Sequence, residues 1–538
     1  MNSLPVVLRE MRVTARMRWI YRTRTSVALA SIAAWLFVFL AAPPRVSGAE
    51  KGMGLLITLS AMAMLLALLS GVFLTADCLS QEKREGTLGL LFLTPLNGYD
   101  VVLGKMVANA ASSFFALLSI LPILCLPLLT GGVTWAETLR VMLALLLSLG
   151  LSLSLGMFVS VFSIESRKAF LATFLSILGL SAVPMLAWAL AEAASRRVVP
   201  DSFCFQWSPI YALVFAFDFN YNRFSGVLYW RSVLFLGLIV LALLTTACRR
   251  VGSSWQSRDT SGSEPKRRAW LSRRRASLKA RLKLPGLIQR GADLYAWLSY
   301  RSSAPGAGTL WFLGALTAFW FLMLMLSGTT RLRQGGFTIA MFTAFALHLI
   351  VKFMLGLEAT RQIHQDVRNG NMELLLATPL PEREIVLGQT RACRRRFRGL
   401  ARLLTGINVV MELSVFLFYE QLQMRSVDKV FTVFFLGGIL ALHLDFRAIQ
   451  WVGIWKALRA QTHLRATFDT LRSVLAIPWI LFPMLFFLAV QRPGGRTEDV
   501  LFVSMVAWCG FGLGLDLYLI AKTKRRLRAH FRDSAGRF

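Results

Sequence analysis

Apolar runs of about 18 to 25 residues, each long enough to carry a helix across roughly 30 Å of hydrocarbon, recur along this chain. They fall near 26–43, 53–76, 106–129, 136–163, 169–193 and 231–248, and again near 309–327, 336–357, 401–419, 430–457, 472–490 and 500–521. Hydrophobic residues make up 56% of the 538 and charged ones only 16%, too few to cover a water-facing surface. The expected fold is all-α: a polytopic integral membrane protein of about twelve transmembrane helices. An even number of crossings returns both termini to one side.

The runs divide into two sets of six because a polar element repeats between them. GTLGLLFLTPLNGYDVVLGK, from Gly86, returns as GNMELLLATPLPEREIVLGQ, from Gly370, at a constant offset of 284 residues. The copies share Gly86/Gly370, Leu90/Leu374, Leu91/Leu375, Thr94/Thr378, Pro95/Pro379, Leu96/Leu380, Val102/Val386, Leu103/Leu387 and Gly104/Gly388. An internal repeat in a membrane protein points to two equivalent halves, here with one matched cytoplasmic element each. The expected organisation is an interfacial helix over 1–25, a six-span half over 26–248, a linker over 249–291, a second half over 292–521 and a tail over 522–538.

A net charge of +32 raises the question of nucleic acid, and its distribution answers it. Basic residues crowd the N-terminal arm (Arg9 to Arg24), the linker (Arg249 to Arg290), the stretch after the second repeat (Arg391 to Arg398) and the tail (Lys522 to Arg532). All fall on one side of a twelve-span arrangement, while the loops near 44–52, 130–135 and 491–499 carry few positive charges. By the positive-inside rule that side is the cytoplasm, so the charge sets topology and touches anionic lipid. Arg331 and Arg333, in the loop near 328–335, run against the pattern. The six cysteines contain no C-x-x-C pair, which gives no sign of a zinc site or a disulfide framework. The first apolar run is longer than a signal-peptide core and has a counterpart near 309, so it is expected to be a retained span.

Residues 5–25 set Val6, Leu8, Met11, Ala15 and Trp19 against arginines, the pattern of a helix lying on the membrane surface; Leu294, Trp297 and Leu298 repeat it before the second half. The aromatic segment within 194–230 is expected to fold back onto the membrane surface, where Phe, Tyr and Trp are favoured, or to form part of a gate.

The repeated element reads as two helices at an angle. Ser80 to Glu85 is a charged extension of the second span, Gly86 permits a turn, and Thr87 to Leu93 is apolar enough to lie in a groove or on the membrane. Pro95 stops it. Asn97 and Asp100 then stand in the N-cap and N3 relation that starts a helix into the third span; in the second copy Glu384 takes N3 and Pro381 pre-sets the first turn. Read alone, one such element is a connection between two spans. Two matched copies suggest docking surfaces for a soluble partner.

The first copy, EKREGTLGLLFLTPLNGYDVVLGK, resembles the cytoplasmic motif of permease subunits in the type-two ATP-binding-cassette transporter family. That pattern runs approximately E-x-x-x-G-T-L-E-L-L-L-x-T-P-L and ends in L-G-K. The resemblance implies two fused permease halves in a bacterial inner membrane, both termini cytoplasmic, working with separate ATPase subunits in two copies that bind ATP and magnesium. It implies a coupling role for Glu82, Glu85, Gly86, Thr94, Pro95, Leu96 and Gly104, and for Asp366, Gly370, Thr378, Pro379, Leu380 and Gly388 in the second copy. The second copy departs from the pattern, with Asp366-Val367-Arg368-Asn369 in place of Glu82-Lys83-Arg84-Glu85, and so keeps one acid where the first has two. Export is the direction the resemblance favours. The segment from His443 to Trp479 also resembles the fourth-to-fifth span region of such permeases.

No G-x-x-x-x-G-K-[ST] loop is present to cradle nucleotide phosphates: Gly104-Lys105 is followed by Met106 and lacks the preceding glycines. The chain is therefore expected to be a non-enzymatic transmembrane subunit with no cofactor of its own. Glu412, His443, Asp445 and Asp516, in expected spans of the second half, must face a cavity, a partner helix or the interface. A secondary transporter or channel, or a non-transporting scaffold, is the alternative, and nothing in the residues identifies a substrate. Cysteines placed at Ser261 and Ser534 are expected to react with an impermeant thiol reagent from the cytoplasmic side alone, and labelling of either from outside would break the twelve-span arrangement.

Overall fold

The computed structural model describes residues 18–41, 47–93, 96–164, 166–194, 205–254, 314, 330–378, 380–419, 428–460, 463–478 and 497–535. Among these residues there is no strand. The chain divides into two compact units, Met1–Ala269 and Trp270–Phe538. The expected interfacial helix up to residue 17, most of the linker, the expected span near 309–327 apart from residue 314, most of that near 472–490, and Cys204 lie outside the described residues.

In the first unit the helices are α1 (Arg18–Ala41), α2 (Gly48–Leu74), α3 (Cys78–Glu85), α4 (Thr87–Phe92), α5 (Gly98–Leu118), α6 (Leu121–Leu124), α7 (Leu126–Thr130), α8 (Trp135–Phe162), α9 (Ser166–Ala194), α10 (Pro209–Ala216), α11 (Asp218–Arg223) and α12 (Val227–Ser254). Ser47 starts α2 with a capping box: its hydroxyl accepts the Glu50 N–H at 3.3 Å, and the Glu50 carboxylate accepts the Ser47 N–H at 3.2 Å. The expected third span is not one helix. Pro122 and Pro127 sit in the opening turns of α6 and α7, where proline's missing N–H and fixed φ start a new turn instead of continuing the old one.

The axis of this unit is the contact between α2 and α8, where small residues let two backbones approach. A Cβ added at Gly71 would overlap the Ser152 carbonyl, and one at Gly156 would overlap the Thr75 hydroxyl. The Ser152 hydroxyl lies 2.9 Å from the Gly71 N–H that donates to it, and the Thr75 hydroxyl contacts the carbonyl oxygens of both Gly71 and Leu153 at 3.0 Å. In hydrocarbon, where the hydrophobic effect does not hold helices together, close packing and interhelical hydrogen bonds of this kind do. Around them lie Leu56, Leu59, Ala63, Val141, Leu145 and Tyr229.

The aromatic segment after residue 204 departs from expectation. It forms α10 and α11, with Tyr211 and Phe215 buried in the core and Phe219 70% exposed, so its aromatic residues do not all lie on one surface. Asp218 explains the docking. It pairs with Arg140 of α8, accepts from the Thr134 hydroxyl at 2.7 Å, and gives its own N–H to Glu137 at 3.0 Å, which anchors the returning chain to the start of α8.

The second unit comprises α13 (Thr330–Arg368), α14 (Asn371–Leu376), α15 (Glu382–Tyr419), α16 (Asp428–Ala457), α17 (His463–Leu471), a π-helical turn over Arg472–Ala476, and α18 (Thr497–Ala535). Six helical stretches among the described residues are long and apolar enough to cross a membrane: Gly48–Glu85, Gly98–Thr130, Trp135–Phe162, Val227–Ser253, Thr432–Ala457 and Phe502–Asp533. The expected runs near 26–43, 169–193, 336–357 and 401–419 fall on the long helices α1, α9, α13 and α15. Gly71→Ala is expected to destabilise the first unit by about 1 to 3 kcal/mol through overpacking. Gly54→Ala, with nothing within 4 Å of the added carbon, is expected to be neutral or to stabilise by up to about 1 kcal/mol; thermal unfolding in detergent compares the two.

Candidate functional site

The repeated element forms the same backbone twice. Gly86 ends α3 with φ 76° and ψ 1°, and Gly370 ends α13 with φ 74° and ψ −2°. This left-handed conformation is open to glycine and strained for most other residues. Each glycine is followed by a helix of 6 residues, α4 or α14, and then by the helix that continues into the expected third span. Thr94, Pro95 and Pro379, at the second bend, lie outside the described residues.

Burial follows the same register. Leu79, Leu88, Val101 and Val102 are buried in the first elbow, and Ile363, Met372, Ile385 and Val386 occupy the same positions, 284 residues on, in the second. Leu96 and Leu380 are half-buried, and Gly104 and Gly388 are buried. The outward positions match as well: Leu90 is 64% exposed and Leu374 71%. In the first copy Leu93 is 79% exposed, and Glu85, Gly86 and Tyr99 are exposed beside it. Each elbow therefore has a packed inner side and an outer side that offers leucine to whatever lies beyond.

The first elbow is fastened by several side chains, among them Lys83, whose ammonium donates to the Val161 carbonyl of α8. α2 breaks at Thr75 to Asp77, and α3 restarts with its first N–H groups unpaired within the helix. The hydroxyl of Ser160, on α8, accepts two of them, from Leu79 at 2.9 Å and Ser80 at 3.0 Å. Arg84 grips Asp77 with both guanidinium nitrogens, at 2.8 and 2.9 Å, and reaches the Ile164 carbonyl at 2.9 Å. Glu82 pairs with Lys105 at 2.7 Å, tying α3 to α5. At the entry to α5 the Asp100 carboxylate accepts the Asn97 N–H at 3.2 Å, as its spacing predicts. Glu82 thus faces inward, whereas Glu85 stays on the surface, accepting from the Gln81 side chain at 2.9 Å.

The second elbow is built with different chemistry. α13 runs unbroken to Arg368 instead of breaking before its polar extension. Gln389 stands where the first copy has Lys105, and its Oε1 is buried without a hydrogen-bond partner. Asp366, the counterpart of Glu82, is half-buried, and Thr378 is exposed with its hydroxyl donating to the Leu375 carbonyl at 2.5 Å. Pro381 stands at the cap position just before α15, which makes Glu384 N3 as its spacing predicts, and its carbonyl accepts the Glu384 N–H at 2.8 Å.

Of the four polar residues expected within the spans, two are brought together. Asp445, on α16, is buried and paired with Lys352 of α13, and Asp516, on α18, is buried against Asp445. His443, two positions before Asp445, turns to the exposed side and lies 3.4 Å from the Thr405 hydroxyl, and Glu412 is half-buried on α15. Sequence reading missed the partners. Lys352, His348 (2.8 Å from Asn408) and the buried Glu358–Arg396 pair all belong to this unit. The signal was available, since His348 and Lys352 interrupt the apolar run 336–357 itself.

Residues 14–250 match the family model described as ABC-2 family transporter protein. No curated protein matches the chain. The matched span ends in α12 and contains the first elbow whole.

Because Glu82 and Lys105 are mostly buried and bonded to each other, removing one partner strands the other's charge. Glu82→Gln and Lys105→Met are each expected to destabilise the chain, and the double variant to lose less than their sum. A double-mutant cycle on thermal stability should return a coupling of about 0.5 to 3 kcal/mol.

Proposed function

We propose that this chain, whose residues 14–250 match the model described as ABC-2 family transporter protein, is an ABC-2 type permease and the transmembrane subunit of an ATP-driven exporter. Residues 292–521 form a second permease half, and both elbows dock ATPase subunits carried on separate chains. Those subunits bind ATP and magnesium, and this chain supplies the path and the mechanical linkage. The observation that carries the reading is the repeated elbow, with a left-handed glycine, the same buried register and an exposed leucine at the matched position (Leu90, Leu374) in each copy.

The coupling follows from how the first elbow is fastened. A partner seated on Leu90, Leu93 and Glu85 pushes on a short helix that cannot yield alone. α3 is held to α8 by Ser160 and to α5 by the Glu82–Lys105 pair. Displacement of the elbow therefore moves the cytoplasmic ends of α2, α5 and α8 as a group, and a packed helix group of this kind shifts between discrete arrangements instead of bending gradually. Binding and hydrolysis of ATP on the partner then bias which arrangement is occupied.

Leu93→Asp puts a charge into the apolar centre of the proposed contact and is expected to cost 2 kcal/mol or more of binding, by the order of magnitude for such anchors. Glu85→Arg should cost on the order of 2 to 5 kcal/mol if that contact is desolvated. Gly86→Leu forces a branched residue into positive φ and should weaken docking through backbone strain, whereas Asn369→Arg, where the second copy already lacks the acid, should be milder. The measurement is ATPase co-purification and transport-coupled ATP hydrolysis at equal membrane abundance. Wild-type values for Leu93→Asp, Glu85→Arg and Gly86→Leu together would leave the elbow as a connection between spans.

A further inference from the structure

The helix leaving the second elbow carries five exposed arginines on one face. Arg391, Arg394, Arg395, Arg398 and Arg402 recur at spacings of three and four along α15, opposite the buried stripe of Cys393, Phe397, Leu400 and Leu404. At 1.5 Å per residue the ladder is about 16 Å long. Arg396, off this face, turns inward to pair with Glu358. The other five turn outward.

The first unit makes the contrast. Continuing the 284-residue register, the five positions are Val107, Ala110, Ala111, Phe114 and Leu118 on α5, and Val107, Phe114 and Leu118 are exposed. One half thus shows hydrocarbon where the other shows five guanidinium groups. Past the ladder and Thr405, the same face of α15 becomes apolar, with Val409 and Leu413 exposed on the line of Arg391, Arg398 and Arg402. The face is therefore amphiphilic along its length, cationic for three turns toward the elbow and then apolar.

We propose that this face of α15 is a binding site for anionic phospholipid. Lipid phosphate groups sit on the guanidinium ladder, where planar donors engage phosphate oxygens in pairs, and the acyl chains run over Val409 and Leu413. Charge complementarity selects an anion, and the adjoining apolar stripe selects an anion with a hydrocarbon tail over free phosphate. Arginine near the end of a spanning helix is tolerated where headgroups reach it, so occupancy of the ladder also sets how deep α15 lies. The inference rests on α15 crossing the membrane and is independent of ATPase docking, which has its own readout.

The test is a titration of the purified full chain in detergent with fluorescent phosphatidylglycerol and with phosphatidylcholine of the same tails, using inorganic phosphate as competitor. The wild type should prefer phosphatidylglycerol by about tenfold or more, in line with roughly 1 kcal/mol per basic residue at an anionic surface. The paired variants R394Q/R398Q and R398Q/R402Q, which keep three of the five guanidinium groups, should each lose most of that preference, and R398K/R402K should keep the larger part of it. A tail variant with Lys522, Lys524, Arg525 and Arg528 changed to Gln should bind as wild type. Equal affinity for the two lipids, equal loss in the tail variant, or full displacement by inorganic phosphate would each overturn the proposal; gel filtration confirms that the paired variants are folded.

Discussion

Ser152, Gly156 and Ser160 lie four residues apart on one face of α8, and the order of the first unit depends on them. Ser152 bonds the backbone of α2 at Gly71, Gly156 leaves room for Thr75 where α2 ends, and Ser160 caps α3 where the chain resumes. One stripe of small residues therefore contacts both a spanning helix and the elbow that follows it, beside the Arg84–Asp77 and Glu82–Lys105 pairs. The physical basis is that lipid supplies no hydrophobic drive for helix association. Contact must come from backbones close enough for dispersion and hydrogen bonding, and only small side chains allow that approach. A larger residue at Gly71 or Gly156 separates α2 from α8 and loosens the elbow with it.

The second unit reaches order by a different route. Its helices are joined by buried ion pairs, Lys352 with Asp445 and Glu358 with Arg396, beside neutral contacts such as His348 with Asn408 and Thr360 with Thr467. Buried pairs are costly to break, yet they are weak as net stabilisation compared with apolar packing, and Glu358 has a second cation in Arg361 at 3.4 Å. Their value lies in register. Lys352 meets Asp445 at only one sliding position of α13 along α16, and the same holds for Glu358 and Arg396 between α13 and α15. Two elbows of the same backbone thus rest on unlike helix contacts, the first on serine and glycine together with the Arg84–Asp77 and Glu82–Lys105 pairs, the second on a helix anchored by Lys352–Asp445 and Glu358–Arg396.

The elbow itself was largely legible in the residues. Gly86 and Gly370 both took the left-handed turn that their place in the repeat suggested, and Asn97 with Asp100 opened α5 as their spacing implied. These are local properties, set by φ, by proline and by side chains bonding to backbone within four positions. Glu82 was legible only as an acid near the turn. That it faces inward to Lys105 depends on how α3 is rotated against α5, and that rotation comes from Leu79, Leu88, Val101 and Val102 packing on α8 and α12. The returning segment after residue 204 shows the limit from the other side. Its aromatic residues fit the membrane surface as well as a core, and Asp218 bonding to Arg140 and Thr134 put Tyr211 and Phe215 inside.

By itself the sequence determined that the chain is helical and built for a bilayer, that one turn element occurs twice, and that this element turns at its glycine. Those conclusions rest on apolar run length and on backbone conformations available to few residue types, both of which act within a few positions along the chain. Tertiary structure decided which leucines of the elbow point outward, which acids are tied down, and that the arginines of α15 form a ladder instead of a scattered cluster. Each of those outcomes depends on the rotation of one helix against another. That rotation is set by side chains tens of residues apart, so no single stretch of the sequence carries it.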